Sequence, residues 1–192
     1  MPDPNPAALD FLLNRRSRPA KTLGLPVPTR AQLMPILTAA ARSPDHGMLE
    51  PWRFIVLEQA ALRRLAEVVR VRSADLGLEA DHAGKGALPF ETGNLAVAVI
   101  EVSKPSDKVP ALEQSYAAGG VCLALLNAAL ASGWGANWIT GWPSHDRGFM
   151  RDGLDLDSHE RIVGFVHIGT ETGTPPERPR PDLDRITTWH SA

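Results

Sequence analysis

Two adjacent arginines followed by a serine stand near the N-terminus, in the stretch Asn14-Arg15-Arg16-Ser17. Guanidinium groups are planar and permanently charged, and they bind phosphate through paired hydrogen bonds, to which a serine hydroxyl adds another donor. A plainer explanation also exists, because basic residues at the end of a helix complement its dipole. Taken alone, this stretch favours the plainer explanation.

The sequence lacks the motifs of several kinds of catalytic site. The sequence has neither a Gly-x-Ser-x-Gly elbow nor a Walker loop, and its six histidines show no His-x-x-x-His spacing, so no metal site is expected. Gly133-Trp134-Gly135 lacks the third glycine of a dinucleotide fingerprint and fits a helix C-cap better. Cys122 lies in an apolar stretch, which indicates packing rather than nucleophilic attack. Arginine, serine, histidine and tryptophan in loops suit a protein whose cofactor performs the chemistry.

Length and composition predict one domain spanning residues 1–192. The chain is 43% hydrophobic with a net charge of -2, which gives no indication of nucleic acid or an anionic membrane as a partner. A single cysteine excludes an internal disulfide. Neither a signal-peptide pattern at the N-terminus nor an apolar run of membrane-spanning length is evident, so we expect a cytoplasmic protein.

The elements that must position these residues follow from periodicity and capping patterns. Asn5 and Pro6 predict the start of a first helix, and Thr29 with Gln32 forms a capping box for the second. Leu95–Val102 is almost continuously apolar, as in a strand covered on both faces. The predicted helices span residues 6–15, 29–43, 60–73, 112–132 and 144–151, the last stopped by Gly153, and the strands span 53–57, 95–102, 135–140 and 161–169.

Three stretches carry further expectations. Residues 76–92 have no sustained period and no clear core face, which predicts a mobile helix-loop segment and a lid. The helix over 112–132 is apolar almost all round, as at the centre of a fold or of a subunit interface. Residues 173–181 are too rich in proline for a helix or a central strand. They predict an extended arm, with Arg185 to Trp189 as a last β segment, that leaves its own subunit and makes an intertwined dimer.

Taken in order, the motifs resemble the FMN-dependent nitroreductase family, and most closely its short bacterial NAD(P)H nitroreductase subgroup. The resemblance is collinear and covers nearly the whole chain. It rests on Asn14-Arg15-Arg16-Ser17, Ser43-Pro44-Asp45-His46, Glu50-Pro51-Trp52-Arg53-Phe54, Lys108-Val109-Pro110, the stretch from Gly133 to Gly141, Ile162-Val163-Gly164-Phe165 and Ile168-Gly169-Thr170.

The resemblance implies an α+β sandwich, with a mostly antiparallel central sheet flanked by helices, built as an intertwined homodimer. Two FMN sites would lie at the interface, and the C-terminal arm, about residues 170–192, would reach the partner subunit. The implied cofactor-binding residues are Arg15, Arg16 and Ser17 at the FMN phosphate and ribityl chain, Arg42 and His46 from the partner, Trp138, Ile139 and Thr140 along the isoalloxazine, and Arg178 and Arg180 from the tail.

Each of these assignments has a plainer alternative at this stage. Arg15 and Arg42 could serve helix dipoles, Arg180 could belong to a solvated tail, and His46 could be bonded within its own turn. Trp138 lies in a predicted strand, where aromatic side chains usually pack in the core. Fold analogy alone suggests Phe90 and Trp142 for the substrate pocket.

The resemblance further implies that hydride passes from NAD(P)H through flavin N5 to nitroaromatics, quinones or similar electron-poor acceptors in a ping-pong cycle. No catalytic side chain is expected. Two departures from the family pattern concern the substrate, namely Glu50 in place of glutamine and Ile139 where relatives can carry arginine. They leave open a narrower flavoenzyme, such as a dehydrogenase or ene-reductase. A non-enzymatic flavin-binding dimer is the remaining alternative.

Overall fold

The computed structural model describes residues 3–191 and has a five-stranded antiparallel sheet at its centre. Strand β5 pairs with β1, β3 and β4, and β2 pairs with β3. The strands are β1 (Leu23–Gly24), β2 (Trp52–Glu58), β3 (Leu95–Val102), β4 (Gly135–Ile139) and β5 (Glu160–Glu171). The helices are α1 (Pro6–Asn14), α2 (Arg30–Ala40), α3 (Gln59–Asp75), α4 (Ala80–Thr92), α5 (Ala111–Ala131), α6 (Arg147–Leu154) and α7 (Leu183–Ile186).

Two hydrophobic cores, one on each face of the sheet, account for this arrangement. Side chains alternate along β3, so that Ala96, Ala98 and Ile100 join the core under α3, α4 and α6. Val97 and Val99 point to the other face and join the core under α2 and α5. The predicted α+β sandwich, with its continuously apolar central strand, is confirmed.

The helix starts predicted at Asn5 and Thr29 are present in the structure. The Asn5 side chain accepts a hydrogen bond from the backbone N–H of Ala8 at 3.1 Å, and Pro6 opens α1. Thr29 and Gln32 form both halves of the capping box of α2. Local side-chain chemistry at these positions is sufficient to begin the helices, which is why the sequence reveals them.

Helix α5 packs on α2 and on strands β3, β4 and β5. Among residues 3–191 it is the one helix long and apolar enough to cross a membrane by length and composition, and 39% of its most apolar window is buried in this single chain. Its place against the sheet is that of a core helix of a globular domain, consistent with the first of the two positions predicted for it.

The prediction of a helix-loop without a core face for residues 76–92 is wrong. Residues 80–92 form one regular helix, α4, which buries Gly86, Ala87 and Phe90. Packing against α3 outweighs the low helix propensity of its glycines. Arg63 on α3 donates to the carbonyl oxygens of Phe90 and Gly93 at 2.7 and 2.9 Å, so the end of α4 is held by a side chain distant in sequence.

Two other expectations differ from the structure. Gly153 does not stop a helix: it lies inside α6, which ends at Asp155 with a left-handed φ of 54°. Phe90 packs with Phe149 and Phe165 in the core and also lines a small space beside Ile139 and Thr140, so its place in a substrate pocket stays a prediction. The segment Arg185–Trp189 forms no strand: Arg185 and Ile186 are the last two residues of α7, and Trp189 is 90% exposed. Residues 1, 2 and 192 of the predicted single domain lie outside the described residues.

Candidate functional site

The chain leaves α1 at Arg15 in an extended conformation, with φ of -58° and ψ of 142°. Three residues on, the Arg18 N–H donates to the carbonyl oxygen of Ala136 at 2.8 Å, so the segment runs beside strand β4. The Arg18 guanidinium is held by Glu171 at 2.7 Å. These contacts anchor the arginine-serine stretch to the sheet and fix where the side chains of Arg15, Arg16 and Ser17 lie.

Arg15 and Arg16 are incompletely paired. Arg15 donates from Nη2 to the hydroxyl oxygen of Ser17 at 3.2 Å, but its Nε is buried with no hydrogen-bond partner among the described residues. Nη1 of Arg16 lies 3.1 Å from Oε1 of Glu177, close enough for an ion pair, yet the geometry is not that of a hydrogen bond and this nitrogen is also buried without a partner. Both side chains therefore keep donor capacity for an anion.

The C-terminal arm brings Arg180 to the same place. Its Nη2 donates to the carbonyl oxygen of Leu13 at 3.4 Å and lies 3.3 Å from Oε1 of Glu177. We call Arg15, Arg16 and Arg180, with Ser17, the arginine cluster. Burial lowers the pKa of Arg15, and the positive charges of Arg180 and Arg16 lower it further. Like charges at close range indicate a site that is completed by an anion.

Glu177 is the carboxylate within this cluster. The hydrogen bond from the N–H of Arg178 lowers its pKa, and the charges of Arg16 and Arg180 lower it further, so it is ionised at neutral pH. Three guanidinium groups and one carboxylate leave a net charge of two positive units. A phosphate monoester carries about -1.5 to -2 at neutral pH, a charge that the three guanidinium groups can balance.

Open space adjoins the cluster on both sides of Glu177. A cavity of about 400 Å³ lies on one side and one of about 630 Å³ on the other, and Glu177 and Arg178 line both. The smaller one is also lined by Arg16, Ser17 and Asn137. The sequence analysis did not predict Asn137 as a site residue, although an amide side chain among the apolar residues of a strand could have indicated a polar contact with a ligand. The buried orphan nitrogens and the adjoining space fit the phosphate of a flavin mononucleotide.

Asn137 places the end of β4 next to this cavity. The same strand end carries the three residues predicted to line the flavin ring. Trp138 packs flat over Gly164, where an added Cβ would stand 2.1 Å from the indole Nε1. Ile139 packs against the core, and Thr140 is exposed just after the strand. Within this chain the side chains of Trp138 and Ile139 are partly buried by packing, and Ile139 and Thr140 also line a small space beside Phe90.

Arg42 and His46 lie elsewhere in the chain. Both are exposed, and Nδ1 of His46 is 2.7 Å from the Glu113 carboxylate on α5. Within residues 3–191 neither contacts the arginine cluster. Two residues of this loop, Met48 and Glu50, have φ values of 51° and 47°, a strained conformation for side chains other than glycine. The Asp45 carboxylate stabilises it by accepting from the N–H groups of Leu49 and Glu50.

Comparison with known proteins gives a consistent result. The model of the nitroreductase family matches residues 13–170. "Putative NAD(P)H nitroreductase YdjA" of Escherichia coli K12 is 34% identical over 164 residues, which cover 85% of this chain and 87% of that protein. The crystal structure of a nitroreductase-like family protein from Bacillus cereus superposes over 100% of both chains with a TM-score of 0.81 at 20% identity.

A second solved structure carries a cofactor in its name. The FMN-dependent nitroreductase from Clostridium difficile R20291 has a TM-score of 0.69 at 20% identity, over 95% of this chain and 98% of that chain. At these identities the two solved structures establish the fold, which is the α+β arrangement described above.

Proposed function

Since the chain belongs to the nitroreductase family of oxidoreductases, we propose that it uses FMN to pass hydride from NAD(P)H to an electron-poor acceptor such as a nitroaromatic or a quinone. One observation carries the proposal. Arg15 and Arg16 each bury a nitrogen atom without a hydrogen-bond partner among the described residues, and Arg16 and Ser17 line a cavity that opens to solvent. Such a pair requires an anion.

Each residue of the cluster has a role in this proposal. Arg15 and Arg16 offer their unpartnered nitrogens to the phosphate, and Ser17 and Arg180 complete its surroundings, with Arg178 at the rim. The backbone of residues 138–140 lines the ring system, oriented by the packing of Trp138 on Gly164. When bound, the flavin supplies the hydride acceptance and donation that no side chain of this chain offers.

The proposal also requires a homodimer, in which Arg42 and His46 reach the cofactor of the second copy. Exposed apolar side chains on α5, such as Leu112, Tyr116 and Leu123, support a subunit interface. Strand β2 pairs with β3 alone within residues 3–191, which leaves one strand edge available to the arm of the other copy. A cytoplasmic location agrees with the sequence and completes the proposal.

Titration with FMN tests the assignment of the cluster. Arg15→Ala is expected to raise the dissociation constant of FMN roughly a hundredfold, because loss of one partner of a desolvated charge pair costs about 3 kcal/mol. Flavin fluorescence quenching or calorimetry measures the change. Lys21→Ala is the matched control, since it removes an exposed positive charge from the adjacent 3-10 helix and should leave the affinity unchanged. Equal affinities for Arg15→Ala and wild type would overturn the phosphate assignment.

Anaerobic mixing with NADH or NADPH, followed by acceptors, tests the reaction. Bleaching of the bound flavin by the nicotinamide, and recovery with both a nitroaromatic and a quinone, is the expected outcome. Recovery with an enone alone would support the narrower enzyme that Glu50 and Ile139 left open. A bound flavin that never bleaches would leave only the non-enzymatic dimer.

A further inference from the structure

The C-terminal arm places one carboxylate oxygen where the donors of the arginine cluster converge. Oε1 of Glu177 lies 3.1 Å from Nη1 of Arg16 and 3.3 Å from Nη2 of Arg180. The same oxygen accepts the N–H of Arg178 at 3.0 Å. A single oxygen with two guanidinium groups and one amide around it has the surroundings of a phosphate oxygen in a binding site.

We propose that Glu177 is an internal substitute for the cofactor phosphate: it occupies the anion position of the arginine cluster and must withdraw when the phosphate binds. This inference rests on the proposed function. Carboxylate and phosphate need the same donors, and two anions cannot share them at hydrogen-bond distance without strong repulsion. Glu177 therefore competes with the ligand and sets how tightly a phosphate-bearing flavin is held.

Moving the Glu177 side chain out of the arginine cluster costs little free energy. Its side chain is 73% exposed, and an ion pair so close to solvent contributes little to stability. Its contact with Arg16 lacks hydrogen-bond geometry, since Nη1 of that arginine stays unpartnered. The arm has no regular secondary structure between Glu171 at the end of β5 and Leu183 at the start of α7, so the backbone can move without breaking a helix or strand.

The position of Glu177 between the two cavities adds a consequence for size. It lines both the space of about 400 Å³ beside Asn137 and that of about 630 Å³ beside Leu13. When the carboxylate moves out, both spaces gain volume next to the arginines that line them. The phosphate thus gains space as well as hydrogen-bond donors. A flavin without a phosphate lacks the group that would displace Glu177.

Glu177→Gln tests the inference, because it keeps the shape of the side chain and removes its charge. We expect the variant to bind FMN about fivefold more tightly than wild type, the equivalent of one exposed ion pair. Riboflavin, which lacks the phosphate, should bind both proteins equally. In the flavin-free protein, inorganic phosphate should raise the melting temperature of the variant more than that of wild type.

Asp184→Asn is the matched control. It removes the same charge from the same arm, and its side chain makes no hydrogen bond or ion pair within residues 3–191. Its FMN affinity should stay at the wild-type value, which separates competition at the cluster from a change in overall charge.

The outcomes distinguish this inference from the function beneath it. If FMN binds and Glu177→Gln leaves the affinity unchanged or lowers it, Glu177 is not a competitor and the inference is wrong. If neither protein binds FMN, the proposed function fails, and the phosphate experiment alone decides the competition. In that case, the inference is wrong if phosphate raises the melting temperature of Glu177→Gln no more than that of wild type.

Discussion

Arginine keeps its charge at any physiological pH, so a buried guanidinium nitrogen without a partner is costly unless a ligand supplies the acceptor. Arg15 and Arg16 each carry such a nitrogen. The Ser17 hydroxyl accepts a hydrogen bond from Nη2 of Arg15 at 3.2 Å, whereas Glu177 lies 3.1 Å from Nη1 of Arg16 without hydrogen-bond geometry. A phosphate offers several acceptor oxygens in one group, and these two nitrogen atoms are the most direct link between single residues and the proposed ligand.

A second unsatisfied residue lies in the core and has a different consequence. His167 on β5 is 1% exposed, and neither of its ring nitrogens has a partner among the described residues. It packs against Gly93, where an added Cβ would lie 2.9 Å from Nδ1. Burial lowers the pKa of His167 to about 4. The folded protein therefore keeps this imidazole neutral under conditions in which the unfolded chain binds a proton.

The predicted result is a loss of stability in mild acid. An unfolded histidine has a pKa near 6.5, so between pH 6.5 and about 4 the unfolded state binds more protons and the free energy of unfolding falls as pH falls. From pH 7 to pH 5 the loss from this residue is about 2 kcal/mol. Urea unfolding at the two pH values measures it. His167→Gln, which cannot titrate, should reduce the difference by that amount, and an unreduced difference would contradict the prediction.

Among the elements, α4 depends most on its tertiary contacts. Its interior holds two glycines in close succession, which weaken a helix in isolation. Gly86 is required by its surroundings, since a Cβ there would stand 2.1 Å from Nε1 of Trp142. Gly84 has no atom within 4 Å of the corresponding position. The contact between Gly86 and the indole thus joins α4 to the segment that follows β4 and Thr140.

Substitution of the two glycines, one at a time, tests whether α4 depends on its tertiary contacts. Gly86→Ala should destabilise the protein by about 1–3 kcal/mol, because the indole or the helix must shift. Gly84→Ala should stabilise it by roughly 0.5–1 kcal/mol through helix propensity. Equilibrium urea unfolding gives both values. If residues 76–92 were instead a mobile lid, both substitutions would leave the free energy of unfolding nearly unchanged.

At the scale of the whole molecule, α5 is only partly covered within one chain. One face lies in the core through Val121, Cys122 and Leu125. The other leaves Tyr116 67% and Leu123 45% exposed. Exposed apolar residues along a core helix are typical of a subunit interface, and the proposed second copy would cover them.

Charge introduced on that face should therefore separate the proposed dimer. Tyr116→Asp is expected to convert dimer to monomer in sedimentation or light scattering, and to abolish FMN binding because Arg42 and His46 of the second copy are lost. Val71→Asp is the control, since Val71 is 62% exposed on α3 in the same chain. It should leave both mass and FMN affinity unchanged. A monomeric wild-type protein that binds FMN would contradict the dimer.

Sequence and structure agree where short-range chemistry decides the outcome. The apolar run of β3, the capping box at Thr29 and the long apolar α5 were all predicted and are all present. Residues 80–92 and 185–189 were mispredicted, because α4 is held by Arg63 and Trp142 and because no strand within residues 3–191 pairs with the tail. In both cases distant contacts outweighed local propensity.

The sequence alone, through its resemblance to the nitroreductase family, implied the fold class and singled out Arg15, Arg16 and Ser17, because each motif that carries the resemblance can be recognised over a few residues. Only the tertiary structure decided that Arg180 lies beside them, that Glu177 stands among them and that two of their nitrogens have no hydrogen-bond partner within residues 3–191. The Arg180 contact with Leu13 spans 167 residues of chain. Local spacing carries no information on which distant side chains will meet, since burial, charge balance and unsatisfied donors arise only when the chain has folded.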